Sequence, residues 1–561
     1  MAFAYAMDKP ENNIQNIWLY LFIVFAVFVN FTGLFIPIIG PDGTLYALIA
    51  KTMVLRNDYV DLFAHGKDWL DKPHFPFWIT AFSFKLFGFK TWAYKLPGIL
   101  FLLMGAFYTY LFARQLYNKQ VALWSVLILL TAQHIVLSNN DVRAEPYLTG
   151  LIIAGVYHFY LANKNNNYWQ ILFACLFTAC AIMTKGMFAL VPIGGALAGH
   201  LIITKRWKAL FNLKWLLAIA LVLLFILPEV YCLYLQFDSH PEKVIFGEKA
   251  VSGIKFFFWD SQFGRFFNTG PIKGHGDPTF FIHTALWAFL PWSLLMFVAV
   301  YQKIKGGIKN IDNYEWYCLC AALLTFLLFS ASKFQLPHYL NIVFPFFAII
   351  TANYLNDVLS EKSYKAIRIT QMVIITLMLA LIALLYYFFR PETLGVFSMS
   401  LIAILFITLF FLPGKISSNV NKRILLRTLI LSFIVNLFLN FGFYPSLMHY
   451  QGASEAGIWI SKNNPNNLSV VELDDDYISA FEFYTNSSVT TIDNNGIGNL
   501  PQKPFLLYAP ADMVDKFRTN GWKIKTLNTF ERYWVSRLKP SFLNENTRQK
   551  ELTKTVVALV Q

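Results

Sequence analysis

Two residues in one loop raise the chemical question. Asp42 follows the first hydrophobic run, residues 17–39, which stops at Gly40-Pro41, and Lys72 stands further along the same loop in Trp69-Leu70-Asp71-Lys72-Pro73. A carboxylate can take a proton from an attacking hydroxyl, and an ammonium can hold a phosphate and stabilise it as it leaves. In an apolar chain such charges are costly unless solvated, paired or used. The theme recurs along the sequence. Glu145 ends Asp141-Val142-Arg143-Ala144-Glu145, Lys185 sits in Met183-Thr184-Lys185-Gly186, and Arg265 stands among aromatic residues. His275 lies in a Gly-rich stretch, and the run 330–339 brings Lys333, His338 and Tyr339 between two apolar segments. Each also has a structural alternative. Asp42 and Glu145 could cap helices, Lys72 could snorkel, and Lys185 could make a turn. Arg265 could stack on a ring, and His275 could be a solvated surface residue. No Ser/His/Asp set, zinc-ligand spacing or P-loop is evident.

The elements that must position these groups belong to a membrane. Of 561 residues, 57% are hydrophobic and only 14% are charged, well below the quarter usual in soluble domains. Hydropathy predicts a polytopic α-helical protein with about 13 spans, near 16–39, 94–115, 120–138, 145–162, 168–184, 187–204, 214–235, 279–301, 315–331, 337–357, 367–389, 395–412 and 424–443. The aromatic segment 74–89 is short and carries Lys85, which predicts an interfacial helix rather than a span. The net charge of +14 fits positive-inside loops and anionic lipid rather than nucleic acid. The five cysteines all lie in apolar runs and read as core residues.

Threaded this way, the clusters Arg114/Lys119, Lys205/Arg206/Lys208/Lys214, Lys303/Lys305/Lys309, Lys362/Lys365/Arg368 and Lys415/Lys422/Arg423/Arg427 share one side, the cytoplasm by the positive-inside rule. The N-terminus is then cytoplasmic. Asp42, Lys72, Glu145, Lys185, Arg265, His275, Lys333 and His338 all converge on the opposite face. One or two carboxylates with several cations at an outer membrane face suit transfer from a lipid-linked phosphate. The transmembrane part is expected over 1–444, with external loops at 40–93 and 236–278. From 445 to 561 the composition turns polar and predicts a small extracytoplasmic α/β domain. Its expected elements are helices 453–462, 476–484 and 510–519 and strands 468–473, 488–492, 504–508 and 522–529, before a loose polar tail over 540–561.

Taken in order, these residues resemble the GT-C type glycosyltransferases that use polyprenyl-phosphate sugars, the family of protein O-mannosyltransferases and the lipid A aminoarabinose transferase. The match runs through Asp42 with Tyr46-Ala47, Lys72-Pro73, Phe87-Gly88, Leu96-Pro97, Glu145-Pro146-Tyr147-Leu148 and Thr184-Lys185-Gly186. It continues with Arg265-Phe266, Leu290-Pro291-Trp292-Ser293 and Ser330, Lys333 and Leu336-Pro337-His338-Tyr339. Family members often carry Asp-Glu after the first helix, where this chain has Asp42-Gly43. The resemblance implies an inverting transferase of the inner membrane with a periplasmic active site. Asp42 would be the general base and Glu145 would orient acceptor or base. Lys72, Arg265, Lys185 and Lys333 would hold the donor phosphate, with Tyr46, His338, Tyr339 and His275 as further candidates. No metal or other cofactor is assigned, and divalent metal dependence stays open. The expected partners are a polyprenyl-phosphate-linked sugar, membrane lipid and an acceptor that is lipid A, another envelope glycan or a protein Ser/Thr. A flippase for the same lipid-linked sugar is the alternative outside the enzyme class; its charged groups would reach the midplane.

Overall fold

The structure, a computed structural model, describes residues 13–561 apart from 166, 312–313, 358–359, 465, 474–477 and 493–499. The first twelve residues, and positions 476–477 of the expected helix 476–484, lie outside the described residues. The chain opens with α1 (Asn13–Phe31), α2 (Pro41–Arg56), α3 (Phe75–Phe87), α4 (Thr91–Leu116), α5 (Lys119–Thr131), α6 (Gln133–Asn140), α7 (Glu145–Asn165), α8 (Tyr168–Lys185), α9 (Leu190–Ile203) and α10 (Leu213–Phe225). Among the described residues, seven helical stretches are long and apolar enough to cross a bilayer. They are Thr91–Leu116, Tyr168–Lys185, Leu213–Asp238, Pro337–Asp357, Glu361–Phe389, Val396–Ile416 and Lys422–Met448. Glu361–Phe389 and Val396–Ile416 keep only 17% of their most apolar windows inside the protein. That much outward apolar surface suits lipid and not water. The chain is a multi-pass, mostly helical membrane protein.

Two further segments expected as continuous spans are broken. The pair α5/α6 bends by 52°, and Phe280–Ala288 meets Ser293–Lys309 at 119°. A break strands backbone groups that lipid cannot satisfy. Here the two breaks dock on each other: the Gln133 N–H donates to the Leu290 carbonyl at 2.9 Å, and the Trp292 indole donates to Thr131 Oγ1 at 2.9 Å. The first helix is also shorter than expected. It ends at Phe31 rather than 39; Pro37 keeps the backbone ladder from reaching 39, and Gly33 gives its side-chain space to Asn140. With 13 residues, α3 is about 20 Å long, too short for a hydrocarbon core of about 30 Å.

The bundle packs tightly where small residues meet. Gly105 of α4 faces Gly150 of α7, and a Cβ at Gly150 would stand 2.1 Å from the Phe101 carbonyl oxygen. That close approach sets how α4 carries the loop before it against α7, whose first residue is Glu145.

After the bundle, a five-stranded sheet forms from β1 (Val470–Leu473), β2 (Val489–Ile492), β3 (Phe505–Pro510), β4 (Ile524–Arg532) and β5 (Thr553–Val560). Its order is β2-β1-β3-β5-β4; β1 runs parallel to β2 and β3, and β5 runs antiparallel to β3 and β4. Helices Gly452–Asn463, Ile478–Tyr484 and Ala511–Thr519 pack with it. The expected loose tail over 540–561 is corrected by this arrangement: β5 is an interior strand, with Val556, Val557, Ala558 and Val560 buried. A strand covered on both faces shows a continuous apolar run instead of alternation. Arg548 fixes the approach to β5. It donates to the Phe389 carbonyl at 2.7 Å, the Phe542 carbonyl at 3.1 Å and the Tyr450 hydroxyl at 2.9 Å.

Gly150→Val should force α4 and α7 apart and cost about 1–3 kcal/mol or more, as overpacking does. A lower Tm of the detergent-purified protein checks it; an unchanged Tm contradicts the close packing.

Candidate functional site

The polar residues sit where the ends of several helices and two loops meet. Pro41 opens α2 at its first turn, where a missing N–H costs nothing, and places Asp42 there. Arg143, in the short link before α7, donates from Nη1 to Asp42 Oδ2 at 2.7 Å. It also donates from Nη2 and Nε to Asp141 Oδ2 at 2.9 and 3.1 Å. Asp141 Oδ1 in turn accepts from the Gly40 N–H at 3.1 Å. One guanidinium therefore joins the start of α2 to the start of α7. Although burial opposes it, the two carboxylates hold the Arg143 charge more firmly than in water.

Lys72 is held from both sides. Its ammonium donates to Asp71 Oδ2 at 2.5 Å, and Arg265 donates to the other oxygen of the same carboxylate. Burial works against the Asp71 charge, yet Lys72 and Arg265 keep its pKa below the usual value. Burial, with Arg265 nearby, lowers the Lys72 pKa despite Asp71. Immediately after Lys72-Pro73, His74 anchors the loop in the bundle. Its N–H and Nδ1 each lie 2.9 Å from the Glu229 carboxylate, and Nε2 lies 2.8 Å from the Val60 carbonyl. Both side chains are fully buried.

The last two site elements meet at Gly186. Lys185 ends α8 and pairs with Glu145 at the start of α7. Gly186 takes φ +94°, and a Cβ there would collide with Gln262 at 2.3 Å. Gln262 donates to the Lys185 carbonyl at 3.1 Å. So the helical turn 256–264 docks on the Thr-Lys-Gly corner and delivers Arg265 beside Lys185. His338 Nε2 stands 3.8 Å from Glu145, and the Lys185 ammonium lies 3.8 Å above the Tyr339 ring. Tyr46 packs edge-on to Trp69 and Phe77; burial, then Asp42 and Asp71, raises its hydroxyl pKa.

A cavity of about 160 Å³ is lined by Asp42, Tyr46, Asp71, Lys72, Arg143, Glu145, Lys185, Arg265, His338 and Tyr339. A smaller chamber of about 70 Å³ shares Asp71, Lys72, Lys185, Arg265 and Tyr339 and continues towards Phe188 and Gln262. Beyond the Lys185 corner, an apolar groove of about 440 Å³ runs between α8, α9 and α10, past Ile182, Met187, Leu190, Trp215 and Phe258. One atom in the cation cluster is unsatisfied: Arg265 Nε is buried without a hydrogen-bond partner among the described residues.

Eight of the ten residues read from the sequence thus line one cavity. Two do not. Lys333 is exposed, and its backbone N–H donates to the Phe266 carbonyl at 3.1 Å. His275 is exposed too; its flanking Gly274 and Gly276 let the loop lie on the backbone of 332–334. Sequence reasoning missed Asp71 and Arg143. Asp71 touches Lys72 in sequence, and Arg143 lies between two acids, so adjacency was the available signal. Among the described residues, no group of three or more His, Cys, Asp or Glu side chains converges as a metal site.

The sequence pattern of the dolichyl-phosphate-mannose-protein mannosyltransferase family matches residues 71–232. Over 370 residues the chain is 25% identical to the undecaprenyl phosphate-alpha-4-amino-4-deoxy-L-arabinose arabinosyl transferase of Edwardsiella ictaluri, a match covering 64% of this chain and 62% of that one. An uncharacterized protein of Aquifex aeolicus is 26% identical, with 63% and 66% covered. The match thus spans less than two thirds of each relative. The structure of ArnT from Cupriavidus metallidurans bound to undecaprenyl phosphate superposes with a TM-score of 0.74 at 17% identity, covering 96% of this chain and 98% of that one. Its apo form gives 0.70 at 18% identity, with 97% and 98% covered. These matches bear out the resemblance carried by the motifs: the chain is similar in sequence to GT-C glycosyltransferases and has their fold.

The His74–Glu229 contact makes a pH prediction. Burial opposes the His74 charge, but Glu229 outweighs it and raises the pKa above 6.5. Its stabilisation is complete below the unfolded value and is lost as pH rises through the folded one. The Tm should fall as the pH rises above about 6.5, and His74→Gln should flatten that fall; equal slopes contradict the role.

Proposed function

We propose that this chain, with its GT-C fold, is a membrane glycosyltransferase moving a sugar from undecaprenyl phosphate, or another polyprenyl phosphate, to an acceptor on lipid A or a related envelope glycolipid. The reaction takes place at the extracytoplasmic face of the inner membrane. About 13 segments cross or enter the bilayer, the N-terminus is cytoplasmic, and residues 445–561 form the extracytoplasmic unit.

The observation that carries this reading is the cluster of Lys72, Lys185 and Arg265 around one cavity, with a buried Arg265 Nε that has no acceptor among the described residues. A guanidinium fork matches phosphate oxygens, and a phosphate would supply what Nε lacks. The groove between α8, α9 and α10 offers an apolar bed for the polyprenyl tail next to the cations. Relatives named as arabinosyl transferases and a fold neighbour solved with undecaprenyl phosphate add support.

The geometry supports one course for the reaction. The donor phosphate competes with Asp71 for Lys72 and Arg265. Arg143 holds Asp42 Oδ2 at the wall of the cavity. The acceptor oxygen attacks the anomeric carbon from the face opposite the phosphate. The carbon–oxygen bond to phosphate breaks, and its electron pair leaves with the phosphate, stabilised by Lys72, Arg265 and Lys185. Asp42 receives the acceptor proton. Glu145 holds Lys185 in place and, with His338, shapes the side of the cavity on which the acceptor hydroxyl must stand.

Asp42→Asn should leave the protein in the membrane and lower transfer by about 10²–10⁴-fold; near-normal turnover rules out the base role. Lys72→Ala should raise the donor KM about tenfold or more, the loss of one charge-assisted bond. Mass spectrometry of lipid A, glycoproteins and polyprenyl-phosphate sugars with and without the gene identifies sugar and acceptor. If all three pools are unchanged, the proposed function is wrong.

A further inference from the structure

The loop between α1 and α4 carries Asp42 near one end and Lys72 beyond its middle, and one short helix of the C-terminal unit holds it at four places. At the loop's two ends, the Tyr484 hydroxyl accepts from the Ile38 N–H at 3.0 Å and lies 3.2 Å from Thr91 Oγ1. In the middle of α2, the buried Lys51 ammonium donates to the carbonyls of Glu482 at 2.8 Å, Phe483 at 2.9 Å and Thr485 at 2.8 Å. At the tip of the hairpin 63–68, His65 meets Glu482 at 2.5 Å and Ser479 at 3.0 Å. A further bond runs nearby, from the Gln451 amide to the Ile39 carbonyl at 2.9 Å.

The type of contact is informative. The helix Ile478–Tyr484 ends with backbone carbonyls that need donors, and the ammonium of Lys51 supplies three at once. A cation at a helix C-terminus also meets the negative end of the helix dipole. An apolar side chain at Lys51 would leave these carbonyls buried and unpaired, which costs about 1–3 kcal/mol for each group left unsatisfied. The lysine is therefore specific to this docking and not a generic core residue. Ser479, His65 and Glu482 have the atom order of a hydrolytic triad, but Ser479 is only 8% exposed, and a hydroxyl so covered serves as an anchor.

We infer that the helix Ile478–Tyr484 is a positioning element for the reaction: it fixes the loop so that the base on α2 and the phosphate ligand Lys72 keep their separation. Lys51, His65 and Tyr484 are positioning residues and touch no substrate. A displacement of about 1 Å at a reacting group can cost on the order of 10²-fold in rate, so a loop holding both groups needs a fixed frame.

The kinetic half of this inference rests on the proposed transferase reading; the structural half does not. The test uses the full chain in nanodiscs, with Lys51→Met, Tyr484→Phe and Lys51→Arg. Amide exchange over residues 58–73 should rise about tenfold or more in Lys51→Met, while α5 keeps its protection. Tyr484→Phe loses one hydroxyl and serves if Lys51→Met does not fold; it should raise exchange at 38–42 and at 88–92. With lipid-linked sugar as donor, kcat should fall about tenfold in both variants, and Lys51→Arg should recover most of it. Unchanged exchange over all three stretches overturns the inference. So does raised exchange with wild-type kcat and KM. If the wild type transfers no sugar, the proposed function fails, while the exchange result still decides whether this helix holds the loop.

Discussion

Charge neutralisation in a low-dielectric setting governs the rest of this structure. Every cation lining the cavity is held by a carboxylate: Lys72 and Arg265 by Asp71, Lys185 by Glu145, Arg143 by Asp42 and Asp141. Breaking such a pair leaves an uncompensated charge, at about 3–5 kcal/mol when buried. The pairs join pieces of chain far apart in sequence: α2 to the link before α7, α7 to α8, and the loop before α3 to the turn after 264. The same contacts that make the charges tolerable therefore assemble the site.

Backbone satisfaction is the second constraint, and it explains the irregular helices. Two spans break, and the free groups of one are taken up by the other at Gln133 and Leu290. The break after α5 leads into α6 and then to Asp141–Glu145, so the kink delivers Arg143 and Glu145 to the cavity. A straight helix through 120–138 would carry these residues away from α8 and the cations it supplies.

Much of this was legible in the sequence, for identifiable reasons. Asp42, Lys72, Glu145, Lys185 and Arg265 stand out because a charge is conspicuous beside apolar runs, and hydropathy places the runs well. Asp71 and Arg143 were hidden because their role is to neutralise, which depends on partners 194 and 101 residues away. Lys333 and His275 drew attention by residue type, yet their stretch contributes backbone: glycines and a main-chain N–H set the loop, and the side chains point out. The strand at 553–560 lacked alternation because both its faces are covered, so the periodicity that finds half-buried strands could not find it. The breaks at 132 and 290 carry no glycine or helix-interior proline that would separate them from the many other apolar stretches, apart from Pro291.

The order of strands in the sheet has a consequence for biosynthesis. Because β5 lies between β3 and β4, the sheet cannot close until residues 553–560 have left the ribosome, some 460 residues after the loop at 40–93. At about 5–20 residues per second, that is on the order of half a minute to a minute and a half. Until then the sheet on which this helix rests through the Phe481–Tyr508 stack is incomplete. The loop bearing Asp42 and Lys72 is made early and organised late, so its charged pocket takes its final shape only once the elements around it are in place.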